Sequence, residues 1–177
     1  MLENLTPRKK YWLGIFGMVL IAAIAYLPLV SKIGYLNDDW YLMYDAYIGG
    51  ADFFHEVFIV DRPLRGYLMQ IAFTLFGMNP QNYHISAFIF RVLSGFGLMW
   101  LCNQLWPSRK FNNILIATLF LVYPGFLSQI NPIDYQSQIF SLACGMFSVA
   151  LTVKAVTSTN SSVRWGYTIL SIVLAWY

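Results

Sequence analysis

An all-α, polytopic membrane fold is the expectation this sequence raises, and three observations raise it. The chain is 58% hydrophobic and 18% aromatic but only 11% charged, against roughly 25% charged for an average soluble domain. Apolar runs recur at the length a helix needs to cross a bilayer: with a rise of about 1.5 Å per residue, about 20 residues cover a hydrocarbon core of about 30 Å. The charges, finally, are sorted along the chain rather than scattered.

Taken in order, residues 11–30 form the first predicted span, preceded by Arg8, Lys9 and Lys10. Ala23 and Ala25 make a weak small-x-small cleavage pattern, but the apolar run continues past them, which reads as an uncleaved anchor. Residues 31–84 follow as an outer loop carrying interfacial helices. Asn37 is placed to cap the first of these, with Asp38 and Asp39 in a first turn whose dipole favours anions. Trp40, Tyr44, Tyr47 and Ile48 then recur at helical spacing while Asp38, Asp45 and Asp52 repeat every seven residues. That pattern predicts an amphipathic helix lying in the interface with its aromatic side toward lipid, closed by Gly49 and Gly50.

The apolar stretch Tyr67 to Met78 is too short to span and is expected to be a second interfacial or re-entrant helix. Asn79-Pro80 breaks it. Further spans are predicted at residues 85–106, 111–129 and 138–156, and a fifth, expected to be truncated, at 165–177. No internal repeat or low-complexity tract interrupts this, so residues 1–177 read as one polytopic domain of about five transmembrane helices.

Cytoplasmic flanks of membrane helices retain Lys and Arg. Seven of the eleven basic residues (Arg8, Lys9, Lys10, Arg109, Lys110, Lys154 and Arg164) fall on one side of the alternating scheme, and seven of the eight acids (Asp38, Asp39, Asp45, Asp52, Glu56, Asp61 and Asp134) on the other. The basic side is expected to be cytoplasmic, which puts the amino terminus inside and an acidic face outside, with the plasma membrane as the expected location. Cys102 and Cys144 both fall within predicted spans and lack the spacing of a disulfide framework or a metal site. The net charge of +3 comes from the cytoplasmic anchors and does not point to nucleic acid. The sequence contains no Gly-rich phosphate loop, zinc motif or serine elbow.

Each polar feature has a structural and a chemical reading. Asp38 and Asp39 either cap an exposed helix start or furnish a general base just outside the membrane, one carboxylate poised by its neighbour's charge. Arg62 and Arg65, flanking Pro63, either anchor in headgroups or offer guanidinium donors to a phosphate at that depth. Asp61 beside them orients an arginine or ligates a divalent metal. Arg91 lies six residues into the second long span, where a charge normally faces a partner or a wet cavity. Asp134 is a turn acid by default. His55 and His84 are single histidines in turns.

In this order the motifs "NDDWYLMYDAYI", "DRPLRGYLMQIAFTLFG", "FRVLSGFG" and "NPIDY" resemble the N-terminal part of the GT-C superfamily of integral membrane glycosyltransferases, especially the aminoarabinose-transferase and protein O-mannosyltransferase-like branch. The similarity covers residues 11–156. It departs from the family at Asp39, where a glutamate is usual, and at Pro63, where two prolines are common; the family's later spans and soluble domain lie beyond it. The resemblance implies a polyprenyl-phosphate-linked sugar as donor, a lipid, glycan or protein hydroxyl as acceptor, and chemistry at the outer face by the full-length enzyme rather than by this stretch alone. It implies Asp38 as base with Asp39 in support, Arg62 and Arg91 toward the phosphate, and Asp61 and Asp134 as secondary site residues. Two other classes compete: a non-catalytic or truncated polytopic protein, in which the acids cap and the arginines anchor, and a transporter of lipid-linked sugars with Arg91 on its pathway. A transporter would carry charges along several spans, and this chain does not.

Overall fold

A computed structural model describes residues 6–123, 125 and 131–177, and among these every regular element is an α-helix. In chain order they are α1 (Pro7–Tyr26), α2 (Asp38–Gly49), α3 (Phe53–Phe58), α4 (Pro63–Phe76), α5 (Pro80–Leu105), α6 (Lys110–Leu121), α7 (Gln136–Thr157) and α8 (Ser161–Ala175). The third predicted span, 111–129, is described as far as Leu121 in α6, and residues 124 and 126–130 lie outside the described set.

Local chemistry sets many of these boundaries. Thr6 Oγ1 accepts the Lys9 amide at 3.4 Å at the head of α1. Asn79 Oδ1 accepts the Gln81 amide at 3.0 Å ahead of Pro80, and Asn160 Oδ1 accepts the Val163 amide at 3.3 Å. Such caps satisfy amides that a helix start leaves orphaned, and proline at the first helical position has no amide to orphan. Proline also explains why α4 begins at Pro63 rather than at Tyr67, where the apolar run becomes dense. Asn37 corrects the sequence reading: it stands ahead of α2 as expected, but its side chain makes no capping bond and its φ is 47°. Asn tolerates this left-handed backbone because its short polar side chain carries a smaller steric penalty there.

Two ends of the molecule follow from hydrogen bonds far apart in sequence. At one end Asn103 donates to the Tyr11 hydroxyl at 3.1 Å and Asn113 to Asn103 at 2.8 Å; at the other the Asp134 amide donates to Asp39 at 2.8 Å. Hence α1 and α6 run one way and α5 runs against them, returning the chain by residue 131 to the end where α2 begins. Gln104 meets the Ala150 carbonyl at 2.9 Å and Ser148 the Ser171 carbonyl at 2.9 Å, so α7 opposes α5 and α8 opposes α7. Three of these five elements, α1, α5 and α7, are long and apolar enough to cross a membrane. The other two have 12 and 15 described residues, about 18 and 22 Å at helical rise, so among the described residues three of the five predicted spans meet the length a crossing needs.

Helix α5 is the hub, packing most extensively on α7 and also on α6, α1 and α4. Small residues permit the approach, as is usual between helices in lipid: a Cβ on Gly97 would lie 2.9 Å from Met146 Cβ and 3.1 Å from the Phe147 amide of α7. The apolar interior divides in two. Met18, Ala22, Met99, Ile114, Ala117 and Leu121 form one core between α1, α5 and α6. Met43, Ala46, Phe54, Phe58, Met69, Ala72, Tyr83 and Ile133 form another under α2, α3 and α4. Residues 31–84 thus pack as a cap with its own core.

Helix α2 shows the logic of that cap. Asp39, Met43 and Ala46 are buried on one face, while Trp40, Tyr41, Tyr44, Tyr47 and Ile48 are exposed on another. Asp38 and Asp45 are exposed on a third. The predicted aromatic stripe is thus present, and the face that sequence could not resolve is the one carrying Asp39 inward.

Candidate functional site

The cap and the start of α7 hold most of the candidate residues. Asp39 has no exposed surface, and Arg65 is 4% exposed. Each shares the helical phase of its neighbours: Asp39–Met43–Ala46 on α2 and Arg65–Met69–Ala72 on α4 stand at i, i+4 and i+7, so packing of the apolar residues carries the charged ones inward. Both meet Asp134. Its backbone amide donates to Asp39 Oδ1 at 2.8 Å, and its carboxylate accepts from Arg65 Nη2 at 2.5 Å. The guanidinium also lies 4.2 Å from the centroid of Phe58, and its Nε points at Met69 Sδ at 3.4 Å.

Asp39 Oδ2 is buried without a hydrogen-bond partner. Burial pushes the Asp39 carboxyl up to about 6, the Asp134 amide pulling the other way and the Asp134 carboxylate adding to the rise. The Leu36 and Ile133 backbones pull down more weakly, and together these contacts incompletely compensate for taking a carboxylate out of water. Beside it, Tyr35 donates its hydroxyl to the Met78 carbonyl, and burial followed by the Asp39 charge pushes its pKa up.

A cavity of about 480 Å³ opens next to this group, lined by Arg62, Pro63, Leu64 and Arg65 from α4 and its approach, Ser137, Gln138 and Ser141 from α7, and Trp176 and Tyr177. A second, apolar cavity of about 410 Å³ shares Leu64, Trp176 and Tyr177 with it and adds Ile172 and Val173 of α8. The two together are cationic and polar at one end and apolar at the other. Polar and apolar groups are thus sorted to opposite ends of the pair.

The sequence-predicted residues distribute unevenly around it. Arg62 lines the cavity and is paired with its neighbour Asp61 at 2.9 Å, both more than half exposed. Asp134 stands behind the wall through Arg65. Asp38 is exposed on α2, about 100° around the helix from Asp39, and is not among the residues that line the cavity. Arg91 is elsewhere: it donates to the Tyr26 hydroxyl at 2.7 Å, and that hydroxyl donates to the Leu121 carbonyl at 2.8 Å. It lines a separate cavity of about 50 Å³ with Tyr26 and His84, and its described contacts tie α1, α5 and α6 together. Arg65, which sequence reasoning passed over in favour of Arg62, is the buried arginine of the site. Its signal was available in the spacing to Met69 and Ala72. Among the described residues no three His, Cys, Asp or Glu side chains gather as a metal set, and Asp61 is engaged with Arg62. His55 is taken up in the cap, 4.6 Å from the Tyr67 ring.

Among the described residues these features define an all-helical chain with three helices long and apolar enough to cross a membrane and, beside the Asp39–Asp134–Arg65 group, a cavity polar at one end and apolar at the other. No family model, curated protein or solved structure matches it. Its own residues therefore carry the functional argument.

Proposed function

We propose that the chain is the donor-binding part of a membrane glycosyltransferase that moves a sugar from a polyprenyl phosphate to an acceptor hydroxyl at the outer face of the plasma membrane. In this reading α1, α5, α6 with the residues after it, α7 and α8 all cross, and the basic end faces the cytoplasm because Lys and Arg are retained there. The observation that carries the reading is the paired cavity, with Arg62 and Arg65 at its polar end and α8 along its apolar end. The phosphate sits on the two guanidinium groups and the isoprenoid runs along Leu64, Ile172 and Val173.

Chemistry then divides by exposure. Transfer to a hydroxyl requires its proton to be taken while the lipid phosphate departs with negative charge. Asp38, in contact with water, is the acid able to meet an acceptor. Asp39, buried and held by the Asp134 amide, positions α2 against the turn that holds Arg65. Arg65 stabilises the departing phosphate and is itself oriented by Asp134 and Phe58.

The test is sugar transfer from polyprenyl-phosphate sugars in membranes containing the full-length protein. Asp38→Asn keeps shape and hydrogen bonding but cannot take a proton, so transfer should fall about 100-fold or more. Asp45→Asn, exposed on the same helix, should remain active. Equal and mild effects at both positions would leave the acids as helix solvation and favour a non-catalytic protein.

A further inference from the structure

We infer that Ser137, Gln138 and Ser141 of α7 read the hydroxyl groups of the donor's headgroup, while Arg62 and Arg65 hold its phosphate. This rests on the cavity being a lipid-phosphate site, and it assigns the discrimination between donors to a helix distinct from the one that binds charge.

The case comes from how α7 treats its hydroxyls. Deeper along the helix, Ser148 bonds to Ser171, Thr152 to the Ser148 carbonyl, and Thr157 to the Val153 carbonyl. Helix-borne serines and threonines in an apolar setting normally satisfy themselves in this way. Ser137, Gln138 and Ser141 do not: among the described residues none of their side chains makes a hydrogen bond.

All three line the cavity opposite the arginines. Positions 137 and 141 fall one above the other on a helix face, with 138 beside them. Two hydroxyls and a carboxamide supply both donors and acceptors, and the acceptors suit the hydroxyl groups of a polyol, whereas a phosphate oxygen can use only the donors. Ser137 is only 7% exposed, so a group bound there is sheltered from competing water.

The experiment measures affinity of the full chain in nanodiscs for undecaprenyl phosphate and for undecaprenyl phosphates bearing glucose, mannose or galactose. The wild type should prefer at least one sugar-bearing lipid to the bare one. In Gln138→Ala and Ser141→Ala that preference should shrink about tenfold, the loss expected for one or two hydrogen bonds, with affinity for the bare lipid unchanged. Thr157→Ala, at the far end of α7, should behave as wild type. Gln138 is exposed, so its variant will fold, and unchanged bare-lipid binding verifies this in the same experiment. If no sugar-bearing lipid is preferred, or if the preference survives both variants, the inference is wrong. If undecaprenyl phosphate itself does not bind, the underlying lipid-phosphate reading has failed instead.

Discussion

Replacing Asp39 by asparagine should make the protein more stable at neutral pH, and the structure gives the size and sign. The carboxyl is fully buried, one oxygen accepts an amide at 2.8 Å, and the other has no partner. Its pKa lies at about 6 instead of the ordinary 3.8. A raised carboxyl stabilises the fold while protonated: its contribution is complete below about pH 4, is lost as pH rises toward about 6, and is flat above. The separation between 3.8 and about 6, at roughly 1.4 kcal/mol per pH unit, amounts to about 3 kcal/mol.

Asparagine keeps the accepting oxygen and never ionises. Unfolding free energies in mixed micelles should therefore agree between wild type and Asp39→Asn at pH 4 and diverge by up to about 3 kcal/mol in favour of the variant at pH 7.5. Other carboxylates titrate too, including Asp134 beside Arg65, and taking the difference between the two proteins at each pH removes them. Parallel curves, or a variant less stable at pH 7.5, would show that Asp39 is hydrated in the folded state.

Two further outcomes follow from geometry. Gly66→Ala would set a Cβ 2.7 Å from the Phe54 carbonyl oxygen and 3.0 Å from His55 Cα; forcing α3 off α4 should cost about 1–3 kcal/mol in the same unfolding assay. Gly17→Ala, which meets nothing within 4 Å, should instead gain about 0.5–1 kcal/mol, and equal effects at the two sites would refute the close approach. If the basic end is cytoplasmic, an impermeant thiol reagent applied outside should label an introduced Ser31→Cys and miss Ser108→Cys, both exposed in the fold; the reverse labelling would place the cavity on the cytoplasmic side.

What the sequence made legible was whatever a local rule decides. Pro80 with Asn79, and Gly49 with Gly50, marked helix ends that the structure places within a residue or two. The aromatic stripe of α2 was readable from its period. The roles of Asp38 and Asp39 were not, because adjacent residues differ by 100° around a helix and only the partner surface, here Asp134 from 95 residues away, decides which points inward. Arg62 and Arg65 posed the same problem: one is a surface pair with its own neighbour, worth little in water, and the other is buried against Phe58 and Asp134. Arg91 was recognised as a charge needing a partner, and Tyr26 on α1 could not be inferred from anything near it in sequence.

The dependence of Asp39 on Asp134 also sets an order of events during synthesis. At about 5–20 residues per second, the ribosome delivers the second residue about 5–20 seconds after the first, and Ile133, needed to close the core of the cap, arrives with it. Until then α2, α3 and α4 lack both the Ile133 side chain that completes their core and the Asp134 amide that holds Asp39. The cap can close only after α5, α6 and the chain as far as Asp134 have been made. A chain stopped within α6 would hold all of α2, α3 and α4 and still lack the two residues, Ile133 and Asp134, that complete their core and hold Asp39.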